Sequence, residues 1–545
     1  MLQIVVNLFT KFSRKERIAF IAAFFVFIVS SILLTISLIQ QNTVLLPVEG
    51  GEYAEGIVGQ PIFINPLYAD NNAPDTDLSR LLFANMNAII EKEDLSPDQK
   101  TYDIRIKGDI TWQDGQPITT DDIIFTIGLI QDPDVNSPLA AAWKGVQIER
   151  ISEREMQIVA PATYSYFEKT ILSLQPIPKH LFDSIPSANI RLSGYNIEPI
   201  GSGPYKFDSF QKRRDGFITQ ITMKKNDSYF GDKAYIKTFV AKFFQDEGSA
   251  VTALNDGDID GMSVVDPDNI KKISIPHQTR TIEIPRYYAI FPNAFANPLL
   301  GQKDIVQALD LATDKEAITK QVFGDNAIAI TGPIPPFTVE DQGMPNYSLD
   351  RAKDLLESDG WHMTESGIRQ KDGHDLTFVL TVYPSPFLQK TATLLQGQWK
   401  QAGIDVRINM ASPSDFNQAV IKSRDYELLI FGNTYGENVD AYSFWHSSQK
   451  LAPGLNLSLY SNKDADTLIE HLRQDFDPAS RKVGLYQLQQ IISGDHPAVF
   501  LYSPYYLYVS NKSLKGFDGT ALGIPSDRFD NVSKWYIKTV RTLKK

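Results

Sequence analysis

The chain has 545 residues, of which 43% are hydrophobic, 22% charged and 11% aromatic, a size and balance that fit several globular domains and exclude a disordered or fibrous chain. It contains no cysteine, which excludes disulfides, thiolate metal sites, cysteine nucleophiles and a lipid-modified N-terminal Cys. Its net charge is −12, and with Lys11, Arg14, Lys15 and Arg17 clustered near the N-terminus the rest is more acidic still, a poor surface for nucleic acid.

The first predicted element is apolar. Residues 18–39 carry no charge and as a helix would extend about 33 Å, enough for a hydrocarbon layer of ~30 Å. A secretory signal is shorter and ends in a small-residue cleavage site, which is absent here, so the segment reads as an uncleaved anchor. The basic flank precedes it, which places the N-terminus in the cytoplasm and the bulk of the chain outside. Residues 40–51, with Pro47, Gly50 and Gly51, read as a short tether.

Beyond the tether the pattern is α/β. Tyr102, Ile104 and Ile106 alternate with Asp103, Arg105 and Lys107 as in a half-buried strand. Thr119 and Asp122 form a capping pair ahead of Ile123, Ile127 and Ile130 at helical spacing. In the second half, Ile305, Leu309 and Ala312 form a helical stripe, Thr313 to Glu316 opens another helix, and Phe323-Gly324 closes it. Leu395 and Trp399 predict a helix ended by Gly403, and Ile404, Val406 and Ile408 a following strand.

Motifs for chemistry are sparse. Asp256-Gly-Asp258-Ile-Asp260-Gly261 begins like an EF-hand loop, but position 12 is Pro267 where calcium needs a bidentate Glu, so it reads as a helix-turn-strand corner. The seven histidines have no zinc-binding spacing, and no nucleotide loop or nucleophile elbow is present. No cofactor, metal or catalytic residue is expected. Aromatic residues crowd two segments, Tyr435 to Trp445 and Tyr502 to Tyr508; rings with polar tips suit either a core or a cleft accepting varied side chains.

A series of motifs resembles the family 5 extracellular solute-binding proteins, the peptide- and nickel-binding receptors of ABC importers. They run from Glu55-Gly-Ile-Val-Gly-Gln-Pro-Ile-Phe-Ile-Asn-Pro66 and Asp77-Leu-Ser-Arg80 through Trp112-Gln-Asp-Gly115, Pro199-Ile-Gly-Ser-Gly-Pro-Tyr-Lys-Phe207 and Leu254-Asn-Asp-Gly-Asp-Ile-Asp-Gly261. They continue with Gly332-Pro-Ile-Pro-Pro336, Phe444-Trp-His-Ser-Ser448 and Phe500-Leu-Tyr-Ser-Pro-Tyr-Tyr-Leu-Tyr508. The chain departs from the family in a shortened stretch between Arg80 and Tyr102, and in Val306 where an Arg is common.

The resemblance implies a two-lobed α/β fold of the large periplasmic-binding-protein type, with an extra small domain, behind one transmembrane helix. The expected division is a cytoplasmic tail at 1–17, the helix at 18–39, the tether at 40–51, and lobe one at 52–285 with an inserted small domain at about 76–197. Lobe two follows at 286–494, and 495–545 returns to lobe one. The implied function is capture of a peptide between lobes that close on a hinge, by a monomer that hands it to the permease and ATPase subunits of an importer. The peptide ammonium needs a carboxylate, and the family carries one in the loop after the apolar strand Leu428 to Phe431. That makes Glu437 the first choice and Asp440 the second, with Tyr435 and Trp445 as walls and Asn433 and Asn65 as further ligand-contacting candidates. An anchored hydrolase working with two carboxylates, and a surface receptor or scaffold without a transporter, remain open alternatives.

Overall fold

The computed structural model describes residues 13–69, 72–339, 343, 346–414 and 416–544. The expected tail at 1–17 thus lies mostly outside the described residues. The apolar segment is a helix, Arg14–Asn42, capped by Ser13 and Glu16, long and apolar enough to cross a membrane, with none of its residues buried by the rest of the chain.

The expected tether is instead half of a two-stranded ribbon. Thr43–Val48 pairs antiparallel with Lys538–Leu543 along its whole length, from Thr43 opposite Leu543 to Val48 opposite Lys538. The β-branched residues of both strands favour the extended backbone, and Gly50 and Gly51, at φ of 139° and 88°, then turn the chain into the first lobe.

That lobe is built on a seven-stranded mixed sheet. Its strands, in spatial order, are His277–Ile282, Tyr506–Asn511, Gly261–Val264, Glu52–Val58, Thr238–Phe244, Ile218–Lys225 and Tyr205–Lys212. Glu52–Val58 lies centrally and is buried on both faces: Tyr53 and Ile57 enter one core, beside the buried carboxylate of Glu55, and Ala54 the other. The helix Glu247–Asp256 covers the second face and ends at Gly257 in a left-handed conformation, so the acidic 256–261 motif is a corner leading into a strand, as the sequence suggested.

The small domain is inserted between these strands. Its four-stranded antiparallel sheet runs Ile90–Leu95, Thr101–Ile106, Glu155–Val159, Gln147–Arg150, and the helix Thr120–Gln131, capped by Thr119 and Asp122, packs on it. Tyr102, Ile104 and Ile106 point inward from one strand, as their alternation predicted. Each fully buried side chain of that size contributes about 1.5–3 kcal/mol.

The second lobe has a six-stranded sheet in the order Ala327–Ala329, Val499–Pro504, Arg286–Pro292, Leu428–Thr434, Thr377–Val382, Asp405–Met410. Helices cover both faces. Ile290 faces a core with Leu309, Leu395 and Trp399, while Ala289 and Phe291 face one with Trp445 and Phe500. The helix expected to open at Thr313 is Lys315–Phe323, capped one residue later by Asp314, and Gly324 ends it.

The chain crosses between the sheets twice. It leaves the first at Ile282 and enters the second at Arg286, through residues 283–285. It returns at Tyr505, the single residue between Val499–Pro504 of the second sheet and Tyr506–Asn511 of the first. The return expected at 495 is therefore too early: Val499–Pro504 is wholly buried against Arg286–Pro292 and Ala327–Ala329 in the second lobe. Arg286 joins the two crossings, donating from Nε to the Pro504 carbonyl at 2.9 Å and from Nη2 to that of Tyr505 at 2.7 Å.

Candidate functional site

The two lobes and the small domain enclose a cleft beside these crossings. It comprises a cavity of about 730 Å³ and an adjoining one of about 490 Å³, which share Lys169, Gly436, Glu437, Asn438, Asp527 and Asp530. Each falls in the range of small-ligand sites, and the two adjoin at the residues they share.

Its central element is the loop that follows Leu428–Thr434. That strand is apolar and internal to its sheet, so its end delivers the loop to a fixed place, and the Tyr435 amide donates to the Pro285 carbonyl at 2.8 Å to hold it against the first crossing. Gly436 takes φ of 73°, a turn that favours glycine, and sends Glu437 into the cleft. From the opposite side Gly523 comes close: a Cβ there would lie 2.8 Å from the Glu437 nitrogen, so only glycine permits this approach.

Charge in the cleft is mixed. Glu437 pairs with Lys169 of the small domain at 2.9 Å, and each side chain remains about half exposed, at 54% and 52%. Asp527 pairs with Arg80 at 2.9 Å, and Asp530 lies 3.7 Å from the same guanidinium. Although 38% of the Asp530 side chain is exposed, the protein packed around it, then the charges of Asp527 and Glu437, push its carboxyl up to about 6 against the pull of Arg80. Burial likewise raises Asp527, again opposed by Arg80. The apolar lining includes Tyr166, Pro285, Phe337, Leu485 and Leu522, with Arg481 over the Tyr166 ring at 5.3 Å. Phe337 also packs on Tyr505 of the second crossing, with ring centres 5.8 Å apart.

The expected site residues separate into three groups. Glu437 and Tyr435 line the cleft, Tyr435 also donating its hydroxyl to the Pro333 carbonyl at 3.1 Å. Asp440 is engaged elsewhere: it accepts from the Tyr164 hydroxyl at 2.9 Å and lies 3.1 Å from Arg473, whose guanidinium is sandwiched between the Tyr164 and Tyr442 rings. With Tyr166 donating to the Val439 carbonyl and the Ser165 amide to that of Arg473, this clasp joins the small domain to the second lobe.

Trp445, Asn433 and Asn65 lie away from the cleft lining. Trp445 is fully buried in the second lobe and donates to the Tyr287 hydroxyl at 3.1 Å, because its helix turns inward onto the sheet. Asn433 is buried within its strand opposite Tyr287. Asn65 is buried in the first lobe, donating to Asn196 at 3.1 Å and accepting from the Leu67 amide at 3.0 Å. Arg80, Lys169, Asp527 and Asp530 join Glu283, Arg481 and Lys482 in the charged lining, and of these only Arg80 stood in a motif noted above.

Two α/β lobes joined by paired crossings, with a roomy cleft between them and both signs of charge in its walls, define a solute-binding protein. The chain matches the model of the bacterial extracellular solute-binding proteins, family 5, over residues 86–456, and it belongs to that family. It is 28% identical over 523 residues to the oligopeptide-binding protein AppA of Bacillus subtilis, covering 90% of this chain and 92% of that one. It is 23% identical to the dipeptide-binding protein of Escherichia coli, over 82% of this chain and 85% of that one. The fold superposes on the structure of Bacillus subtilis AppA in complex with a nonapeptide with a TM-score of 0.76 at 26% identity, covering 90% of this chain and all of that one. For the ABC transporter substrate-binding protein CtaP of Listeria monocytogenes the TM-score is 0.77 at 25% identity, over 90% and 99% of the two chains.

Proposed function

We propose that this protein is a membrane-anchored receptor that captures peptides in the interlobe cleft and delivers them to an ABC importer. The observation that carries the reading is the pairing of Glu437 with Lys169 across the cleft. An ion pair with both partners half in water is worth about 0–1 kcal/mol, so a peptide ammonium can displace Lys169 from Glu437 at little cost. Once the lobes close over it, the new pair is desolvated and much harder to lose. Asp527 and Asp530 add negative potential to the same cleft, and Arg80 and Arg481 offer counter-charge for a carboxylate. The volume leaves side-chain pockets roomy, which suits recognition by peptide termini and backbone rather than by sequence.

Arg14–Asn42 is the anchor, and it holds the lobes on the outer face of the membrane within reach of a permease. The reading is tested by calorimetry on the full chain in nanodiscs, with peptides from dipeptide to nonapeptide and free or acetylated amino termini. Saturable binding that acetylation weakens supports it. Absence of binding by every peptide, or indifference to acetylation, overturns it.

A further inference from the structure

The C-terminal end carries a basic run that composition alone passes over. From Lys534 to Lys545 the chain has Lys534, Lys538, Arg541, Lys544 and Lys545 and no acidic residue, in a protein whose net charge is −12. Pairing of Lys538–Leu543 with Thr43–Val48 brings Arg541 and Lys544 of this run to the end of the apolar helix. The Lys544 amide donates to the Asn42 carbonyl at 2.8 Å, and Arg541 donates to the Thr43 hydroxyl at 2.9 Å. Among the described residues no carboxylate pairs with Lys538, Arg541 or Lys544.

The ribbon is also apolar on both faces. Val44, Leu46 and Val540 share one face, Leu45 and Leu543 the other, and all are exposed, Leu543 by 75% and Leu45 by 53%. A two-stranded ribbon with nothing packed on it is at best marginal in water. Its position supplies a cover. The helix ends in Gln40, Gln41 and Asn42, whose polarity sets the edge of the hydrocarbon, and the headgroup layer beyond is about 6 Å thick. At ~3.4 Å per residue, about the first two residue pairs of the ribbon, Thr43 with Leu543 and Val44 with Thr542, fall within that layer.

We infer that this ribbon is a lipid-contact surface, with Val44 and Leu543 in the headgroup layer next to the acyl chains and Arg541 and Lys544 on the phosphates of anionic phospholipids. The inference rests on the anchoring proposed above. It also gives the cations a purpose consistent with topology: Lys and Arg just outside a membrane helix oppose the inside-positive bias if they lie in a short loop, whereas these arrive there only when the C-terminus folds back. An acidic body that an anionic membrane would repel is thereby held at a defined attitude above it.

The absence of native cysteine allows single-site labelling of the full chain. Leu543→Cys, Leu33→Cys in the helix and Val483→Cys on an exposed surface would each carry an environment-sensitive fluorophore, in vesicles of phosphatidylcholine with or without phosphatidylglycerol. With acrylamide, a neutral aqueous quencher, the expected result is a Leu33 label quenched by lipid-borne spin labels in both membranes, a Val483 label fully open to acrylamide, and a Leu543 label several-fold less open to acrylamide when phosphatidylglycerol is present. Arg541→Glu with Lys544→Glu should restore acrylamide access at Leu543. A Leu543 label as open as that at Val483, with Leu33 in lipid, overturns the inference and leaves the anchor standing. Equal protection in both membranes overturns the assignment to anionic lipid, as does protection that arises only when transporter subunits are added. A Leu33 label in water overturns the anchor and the inference together.

Discussion

Arg528 and Lys169 both pair with carboxylates, one with no access to water and the other with half its side chain in it. Arg528 binds Asp77 through two nitrogens, at 2.9 and 2.6 Å, and Glu55 at 3.0 Å, and Glu55 accepts in turn from the Tyr508 hydroxyl at 2.5 Å. Arg528 and Glu55 are 2% and 0% exposed. The comparison teaches how one fold separates permanent from exchangeable charge: buried ions with every partner supplied fix a segment, while ions at a wet surface stay free to change partner. The two are linked in sequence. Arg528 pins the segment Pro525–Phe529 to the first lobe, and its neighbour Asp527 and nearby Asp530 are thereby presented to the cleft.

The largest expected effect breaks the buried cluster. Arg528→Met leaves Glu55 and Asp77 without their cation in a dry site, and should lower stability by about 3–5 kcal/mol. Urea unfolding of the full chain measures it, and a loss below about 1 kcal/mol would show that the cluster is not the permanent element argued here.

The next effect concerns the exchangeable pair. Glu437→Gln should weaken peptides with a free amino terminus by about 1.5–3 kcal/mol, roughly ten- to a hundredfold, while acetylated peptides change little. Asp440→Asn provides the contrast. Asp440 holds Tyr164 and Arg473 in the clasp, so its loss should weaken free and acetylated peptides alike by impairing closure. Calorimetry with both peptide types separates the two roles.

The place of Glu437 in the cleft lining was legible because a loop at the end of an internal apolar strand is where an α/β lobe presents polar groups. Its partners were not, since Lys169 and Asp530 reach it only through contacts between distant parts of the chain. Asp440 looked equivalent to Glu437 for the same reason: nothing local marks that Tyr164 and Arg473 engage it. Helices with caps, such as Thr120–Gln131, and alternating strands, such as Thr101–Ile106, were readable because their signals are local. The second crossing was placed too early, at 495, because residues 499–511 read as one extended and largely apolar stretch; Pro504, which cannot donate to a sheet, was the available sign of a break. The ribbon was missed because Thr43–Val48 has no period of its own and becomes a strand only beside Lys538–Leu543.

A smaller effect comes from pH. Because the Asp530 carboxyl is raised to about 6 from the ordinary 3.8, the folded protein holds its proton more tightly than the unfolded chain does. The contribution of Asp530 to the stability of the unliganded protein should therefore fall as pH rises from about 4 to about 6, a component read as the difference between the protein and its Asp530→Asn variant. Affinity for a peptide ammonium should run the other way, rising as Asp530 ionises, with proton release on binding near pH 6. Asp530→Asn should flatten both profiles. Calorimetry in two buffers of different ionisation enthalpy checks the proton count, and zero release near pH 6 would remove Asp530 from the site.

The smallest effect is the most discriminating. Lys169→Met removes the cation that occupies Glu437 in the unliganded cleft. Both partners are half exposed, so stability should change by less than about 1 kcal/mol. Affinity for a free amino terminus should stay level or rise, by no more than about fivefold, since the ammonium no longer displaces a competitor of that small strength. In the double variant with Glu437→Gln the gain should vanish, because Lys169 then has no partner to vacate. A fall of tenfold or more on Lys169→Met would mean that Lys169 contacts the ligand directly, at its carboxylate end, and would place both charges of the exposed pair in permanent service like those around Arg528.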